Sequence, residues 1–111
     1  MTDSDVLIEA TIKASYNLGI SKSTLNHIVG YDLNTKDKNF EVLSTFGKKS
    51  LSLIRIYKCL YAMYDGNFQH MRLWINGFNS GTNGIPLEQI QTDPGLIDVL
   101  EYLEAMHYGK L

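Results

Sequence analysis

Residues 74–111 read WINGFNSGTNGIPLEQIQTDPGLIDVLEYLEAMHYGKL, and the reading of this stretch decides the fold. Trp74 closes a helix, and Gly77, Gly81 and Gly84 then interrupt any regular element. Gly81-Thr82-Asn83-Gly84 is turn chemistry, because Gly and Asn tolerate positive φ. Pro86 suits the first position of a short helix, where its missing N–H would be unpaired anyway. Asp93 is then expected as an N-cap with Pro94 behind it, opening a helix whose apolar positions are Leu96, Ile97, Val99, Leu100, Leu103 and Met106. Asp98, Glu101 and Glu104 decorate its other side, and its tip is expected to be free to enter a partner.

Upstream, the chain again reads as helices. Asp3, Ser4 or Asp5 can cap a first helix with Val6, Leu7, Ala10, Ala14 and Leu18 on one face, ending near Gly19. Ser21 opens a shorter helix with Leu25, Ile28 and Val29 facing in and Gly30 closing it. Residues 31–46 are polar and weakly periodic, a loop with one helical turn expected around Phe40 to Leu43. Gly47 or Ser50 begins a long helix to about Tyr64, with an apolar stripe at Leu51, Ile54, Tyr57 or Lys58, Tyr61 and Met63. Asp65-Gly66-Asn67 is a turn, and Phe68 to Ile75 form the tryptophan helix. No alternating run long enough for a strand occurs. Five or six short helices, most unable to bury a face alone, predict an all-α bundle.

Composition narrows the function. A chain of 111 residues with 44% hydrophobic and 20% charged residues is globular in character, and a domain of this size buries roughly 65% of its unfolded surface. The net charge of −2 argues against a strongly electrostatic nucleic-acid binder. Cys59 is the sole cysteine, so an internal disulfide and a thiolate zinc site are both excluded. Its neighbours Ile56, Leu60 and Met63 predict a buried small hydrophobe. No run approaches the ~20 apolar residues of a membrane span, and the acidic start MTDSDVLIEA lacks the basic region of a signal peptide, so a cytoplasmic location is expected. His27, His70 and His107 lie on three helices without partners at metal spacing. Neither a Ser-His-Asp arrangement nor a P-loop, GxGxxG or HExxH motif is present, so neither catalysis nor a cofactor nor a small-molecule substrate is expected.

Ala14, Leu18-Gly19-Ile20-Ser21, Leu25 and Ile28-Val29-Gly30 have the outline of the first two helices of a helix-turn-helix unit, whose next helix would read the major groove. That helix should begin near Asp32 or Asn34, yet Asp32 to Lys38 offers no apolar face. Lys22, Lys36 and Lys38 can contact phosphates, and Asn34 or Thr35 base edges. Residues 1–45 nevertheless carry four Lys against six acids, a net of −2, so a degenerate unit kept for dimerisation and packing is the competing reading. Lys48, Lys49, Arg55 and Lys58 cluster at the start of the long helix, opposing its dipole. Arg55 is expected in a salt bridge, with the acidic last helix as a candidate partner. Tyr57, Tyr61 and Trp74 are expected in the core, and Tyr108, Met106 and His107 at an interface.

Trp74-Ile75, Asn79, Thr82-Asn83-Gly84, Pro86-Leu87-Glu88-Gln89-Ile90, Thr92, Gly95-Leu96-Ile97, Val99-Leu100 and Tyr102-Leu103 together resemble the C-terminal toxin-binding domain of the Xre/MbcA/ParS antitoxin family. The similarity extends upstream through Gly47, Leu53 to Tyr57, Leu60 to Met63 and Gly66-Asn67, about two-thirds of the chain. Many members carry Pro where Phe78 stands and a second glycine where Asn83 stands, departures that touch turn geometry. The resemblance implies a helix-turn-helix-like lobe over residues 1–45 and a toxin-binding domain over residues 46–111. It further implies a cognate RES-type, NAD-degrading toxin whose dinucleotide cleft is blocked by Ala105 to Leu111. Asp98, Glu101 and Glu104 would meet arginines that hold pyrophosphate, while Tyr102, Met106 and Tyr108 anchor. The Leu111 carboxylate adds an anionic mimic, whereas the Lys110 charge, beside His107 and Gly109, opposes it. The N-terminal lobe would form a homodimer and bind operator DNA through Lys22, Asn34, Thr35, Lys36 and Lys38. A DNA-binding regulator without a toxin, and an interaction module for another enzyme, are the alternatives.

Overall fold

Six α-helices follow one another in the computed structural model, which describes residues 2–33 and 44–109: α1 (Asp3–Asn17), α2 (Lys22–Val29), α3 (Thr45–Met63), α4 (Phe68–Asn76), α5 (Pro86–Gln89) and α6 (Asp93–His107). Among the described residues there is no strand, only an isolated antiparallel bridge between Asn79 and Gly84. The expected all-α bundle is the observed fold.

The long helix α3 runs through the middle. It packs most extensively against α6 and α1, and also meets α2 and α4. Its side chains Leu53, Ile56 and Leu60 are completely shielded, and Cys59 is buried beside them. They join Leu18, Val29, Met71, Ile75, Ile90, Val99 and Leu103 in one continuous core drawn from both ends of the chain. This corrects the expected stripe. Ile54, Tyr57 and Met63 lie half-buried on its flank, whereas Leu51 and Tyr61 are 39% and 48% exposed. The helix is apolar on more than one face, so periodicity left two stripes available. Docking between α1 and α6 selected the one centred on Leu53, Ile56 and Leu60.

Helix α1 shows a similar correction. Leu7, Thr11, Ala14, Ser15 and Asn17 face inward, whereas Val6 and Ala10 point away from the core. Thr11, absent from the expected face, is accommodated there by donating its hydroxyl to the Leu7 carbonyl at 2.6 Å. The cap of α1 is Thr2, and Asp5 completes a capping box by accepting from the Thr2 N–H. At its other end, Arg72 Nε donates to the Asn17 carbonyl at 2.9 Å, fixing α4 against the end of α1. Helix α2 is capped by Ser21 and closed by Gly30, and its inward residues are Leu25, Ile28 and Val29, as expected. Leu33 is also buried, and its N–H donates to the Asn26 side chain at 3.2 Å. The helical turn expected around Phe40 to Leu43 lies outside the described residues.

Ser44, not Gly47 or Ser50, caps α3 by accepting from the Gly47 N–H at 3.1 Å. Likewise the cap of α6 is Thr92, one residue earlier than expected. Its backbone is extended, and its hydroxyl accepts from the Gly95 N–H at 3.1 Å, which puts Asp93 inside the first turn. Between α4 and α5, Asn79 and Gly84 exchange backbone hydrogen bonds of 2.8 and 3.2 Å. Gln89 Nε2 donates to the Thr82 carbonyl at 2.6 Å, holding the turn to α5.

Gly95 sits where the α5–α6 connection crosses the start of α6. A Cβ there would overlap the Gln89 carbonyl, backbone that cannot swing aside. Gly95→Ala should therefore lower stability by about 2 kcal/mol or more through forced backbone displacement, read as a lower denaturation midpoint with an unchanged urea slope.

Candidate functional site

Docking on α3 divides α6 into two faces. Leu96, Val99, Leu100 and Leu103 are buried, and Leu103 and Val99 are completely shielded. On the outer side Asp98 and Glu101 are exposed, along with Ile97 (53%), Met106 (37%), His107, Tyr108 (65%) and Gly109. Ile97 thus stands outside the core to which its helical spacing assigned it, whereas the exposure of Met106 agrees with the interface position expected for it. Both are apolar side chains left available on a helix whose other face is already occupied.

The acids separate into two kinds. Glu104 accepts a forked pair from Arg55, with Arg55 Nε at 3.0 Å from Oε2 and the terminal nitrogen at 2.6 Å from Oε1. The expected link from Arg55 to the last helix is therefore present. Asp98 and Glu101 make no ion pair among the described residues. Their charges are available to an outside cation, whereas that of Glu104 is largely satisfied. A shallow depression lined by Glu101, Glu104, Ala105 and Tyr108 runs along the end of α6. The His107 and Tyr108 rings meet edge to face at 5.0 Å. Tyr108 N–H closes the helix on the Glu104 carbonyl at 3.0 Å, and Gly109 follows with φ +69°. Lys110 and Leu111 lie outside the described residues.

Tyr102 has a second commitment. Its ring is half-buried against the core, and a Cβ on Gly81 would overlap it. The glycine-rich turn thus lies directly on this ring, which ties α6 to the Asn79–Gly84 bridge. Tyr102 belongs to the joint between turn and helix as much as to the outer face.

At the other end of α6, Lys49 pairs with Asp93 at 2.8 Å. A groove lined by Thr45, Lys48, Lys49, Ser52, Asp93 and Ile97 runs between the starts of α3 and α6. Lys48 and Lys58, from the basic cluster, make no ion pair among the described residues. Ile97 connects this groove with the outer face of α6. Its exposure was not legible in the sequence, where it reads as one more core position.

Of the residues expected to contact DNA, Lys22 is exposed in the first turn of α2. Asn34, Thr35, Lys36 and Lys38 lie outside the described residues. Among the described residues, no group of three or more His, Cys, Asp or Glu side chains could hold a metal ion. In the same residues, no helix is long and apolar enough to cross a membrane.

Residues 59–109 match the family model of the antitoxin Xre/MbcA/ParS C-terminal toxin-binding domain. The matched segment begins in the second half of α3 and takes in α4, the glycine-rich turn, α5 and α6. No curated protein matches the chain.

Arg55 stands just outside that segment and reaches into it. Burial pushes the Cys59 thiol above its ordinary value of 9.0, with Glu104 adding to the shift and Arg55 opposing it. The folded thiol therefore keeps its proton where the unfolded one begins to lose it. This contribution is fully present below pH 9.0 and declines as pH rises through the higher folded value. Stability of the wild type should fall more steeply above pH 9.0 than that of Cys59→Ala, measured by urea midpoints across the alkaline range. A double-mutant cycle of Arg55→Ala and Glu104→Ala should give a coupling of at most about 1 kcal/mol, shrinking with added salt, because Arg55 is half exposed.

Proposed function

We propose that this chain, whose residues 59–109 match the family model of the antitoxin Xre/MbcA/ParS C-terminal toxin-binding domain, neutralises a toxin through the outer face of α6. The family supports an antitoxin role in a toxin–antitoxin pair, and a toxin protein is the implied partner. The observation that carries the finer reading is the division of α6. Its inner face is sealed by Leu96, Val99, Leu100 and Leu103, while its outer face carries two carboxylates, Asp98 and Glu101, without an ion pair among the described residues, and the exposed Ile97, Met106 and Tyr108.

The reading commits to a RES-type toxin that degrades NAD. Such a cleft must neutralise a pyrophosphate, which calls for arginines. Asp98 and Glu101 present carboxylates that can take the place of those phosphate oxygens in forked pairs with guanidinium groups. Met106, His107 and Tyr108 fill apolar and aromatic surface beside them, since such side chains carry much of the affinity at protein interfaces. Ala105, half-buried, lets the partner approach the last turn closely, and Gly109 to Leu111 would extend the plug. Glu104 and Tyr102 act as positioning residues, one through Arg55 and the other through Gly81. In this reading residues 46–111 form the toxin-binding unit. The N-terminal lobe over residues 1–45 pairs two chains, and its Lys22 and the segment containing Asn34, Thr35, Lys36 and Lys38 would bring operator DNA for autorepression.

Removing residues 105–111 should abolish neutralisation in cells expressing a RES-type toxin that the full chain neutralises, with the product of the neighbouring gene as the first candidate. The melting temperature should move by less than about 5 °C, because the buried α6 residues Leu96, Val99, Leu100 and Leu103 all precede the cut. Persisting protection by the truncated chain would contradict cleft blocking. Binding of the chain to its own promoter, with no binding to the neighbouring gene product, would favour a solitary DNA-binding regulator.

A further inference from the structure

The groove between the starts of α3 and α6 has no part in the toxin contacts assigned so far. Lys48, Lys49 and Ser52 form its α3 wall, and Asp93, Leu96 and Ile97 its α6 wall. Its volume of about 220 Å³ falls short of the roughly 300 Å³ at which small-molecule pockets begin, so it suits one or two side chains of a protein partner. The groove is continuous with the outer face of α6. Ile97, Glu101, Ala105 and Tyr108 recur at helical spacing, and the last three line the depression at the end of the helix. One turn separates the two depressions, and the stripe that joins them is about 16 Å long.

The two depressions carry opposite charges. Glu101 in one and the exposed Lys48 in the other both lack an ion pair among the described residues. Lys49 is different, being held to Asp93 at 2.8 Å with its side chain only 21% exposed. Lys48 is therefore the cation that the groove offers, and the apolar surface beside it comes from Leu96 and the 53% exposed Ile97. An occupant must bring a carboxylate to Lys48 and an apolar side chain to Ile97. A nucleic-acid backbone has no apolar group for Ile97, and it would have to approach the negative charge of Asp93 on the rim. A protein segment meets both demands. A partner laid along Glu101 to Tyr108 reaches Ile97 within one further turn, so the protein that covers the acidic stripe also covers the groove.

We propose that this groove is a second docking point for the toxin, receiving an apolar side chain against Ile97 and Leu96 and an Asp or Glu carboxylate on Lys48. This rests on the reading that the outer face of α6 meets a toxin, and it assigns the direction in which that partner lies. With a cation opposite Glu101 and an anion opposite Lys48, a toxin turned end for end meets like charges at both points. The groove supplies affinity and orientation, while residues 105–111 supply the block.

Titration calorimetry on the full chain tests this, using a RES-type toxin that the chain neutralises, with the product of the neighbouring gene as the first candidate. Lys48→Glu should weaken binding about tenfold or more, and the loss should shrink with added salt. Ile97→Ala should weaken it roughly fivefold by removing apolar contact, whereas Lys48→Arg should bind like the wild type. Both positions are exposed, and circular dichroism checks that each variant is folded. At saturating concentration each variant should still inhibit the toxin fully, because residues 105–111 remain. Wild-type affinity in both Lys48→Glu and Ile97→Ala overturns the groove and leaves the tip of α6 as the toxin contact. Loss of affinity in those two variants, with neutralisation surviving removal of residues 105–111, supports the groove and overturns cleft blocking. Loss of promoter-DNA binding by Lys48→Glu, with toxin affinity unchanged, would assign the groove to nucleic acid and overturn the proposal.

Discussion

The outer faces of α1 and α6 both follow from how α3 is buried. Leu53, Ile56 and Leu60 are completely shielded between α1 and α6, and burial on that scale is the dominant stabilising term in a domain this small. Once those three side chains point inward, the rotations of α1 and α6 are set. Val99 and Leu103 turn Asp98 and Glu101 outward. Leu7, Thr11 and Ala14 turn Val6, Glu9 and Lys13 outward. The two exposed faces are therefore consequences of one packing choice. The ion pairs Lys49–Asp93 and Arg55–Glu104 stand near the two ends of the α3–α6 contact. Being partly exposed, they act mainly on register and contribute modestly to stability.

A second constraint fixes where α6 begins. The Asn79–Gly84 bridge, Gln89 and the ring of Tyr102 bring the glycine-rich turn, α5 and α6 into close approach. Side chains at Gly81 or Gly95 would collide with the Tyr102 ring or the Gln89 carbonyl respectively. The outer face of α6 is therefore presented by a rigid joint, which limits the entropy lost when a partner closes over it.

Much of this was legible in the sequence. Ser21, Gly30, the 65–67 turn and Pro86 marked element boundaries correctly, because caps and turns are governed by residues close in sequence. Thr92 and Asp93 are both good caps by residue type, and only the backbone conformation at Thr92 decides between them. The α3 stripe was misassigned for the reason that tertiary docking, not periodicity, chooses among several apolar faces. Val6, Ala10 and Ile97 fit an apolar helical spacing and are nevertheless exposed for the same reason. Arg55 pairing with the last helix was anticipated from its unfavourable place near a helix start. The partition of the acids into Glu104, paired, and Asp98 and Glu101, without an ion pair among the described residues, required the distances themselves.

The most direct measurement is hydrogen–deuterium exchange of the chain alone and after mixing with the product of the neighbouring gene as the candidate toxin. Slowed exchange at the amides of residues 98–109 is the expected result, since the outer face of α6 is the surface assigned to the toxin. Slowed exchange in α1 and α2, with residues 98–109 unchanged, would contradict it.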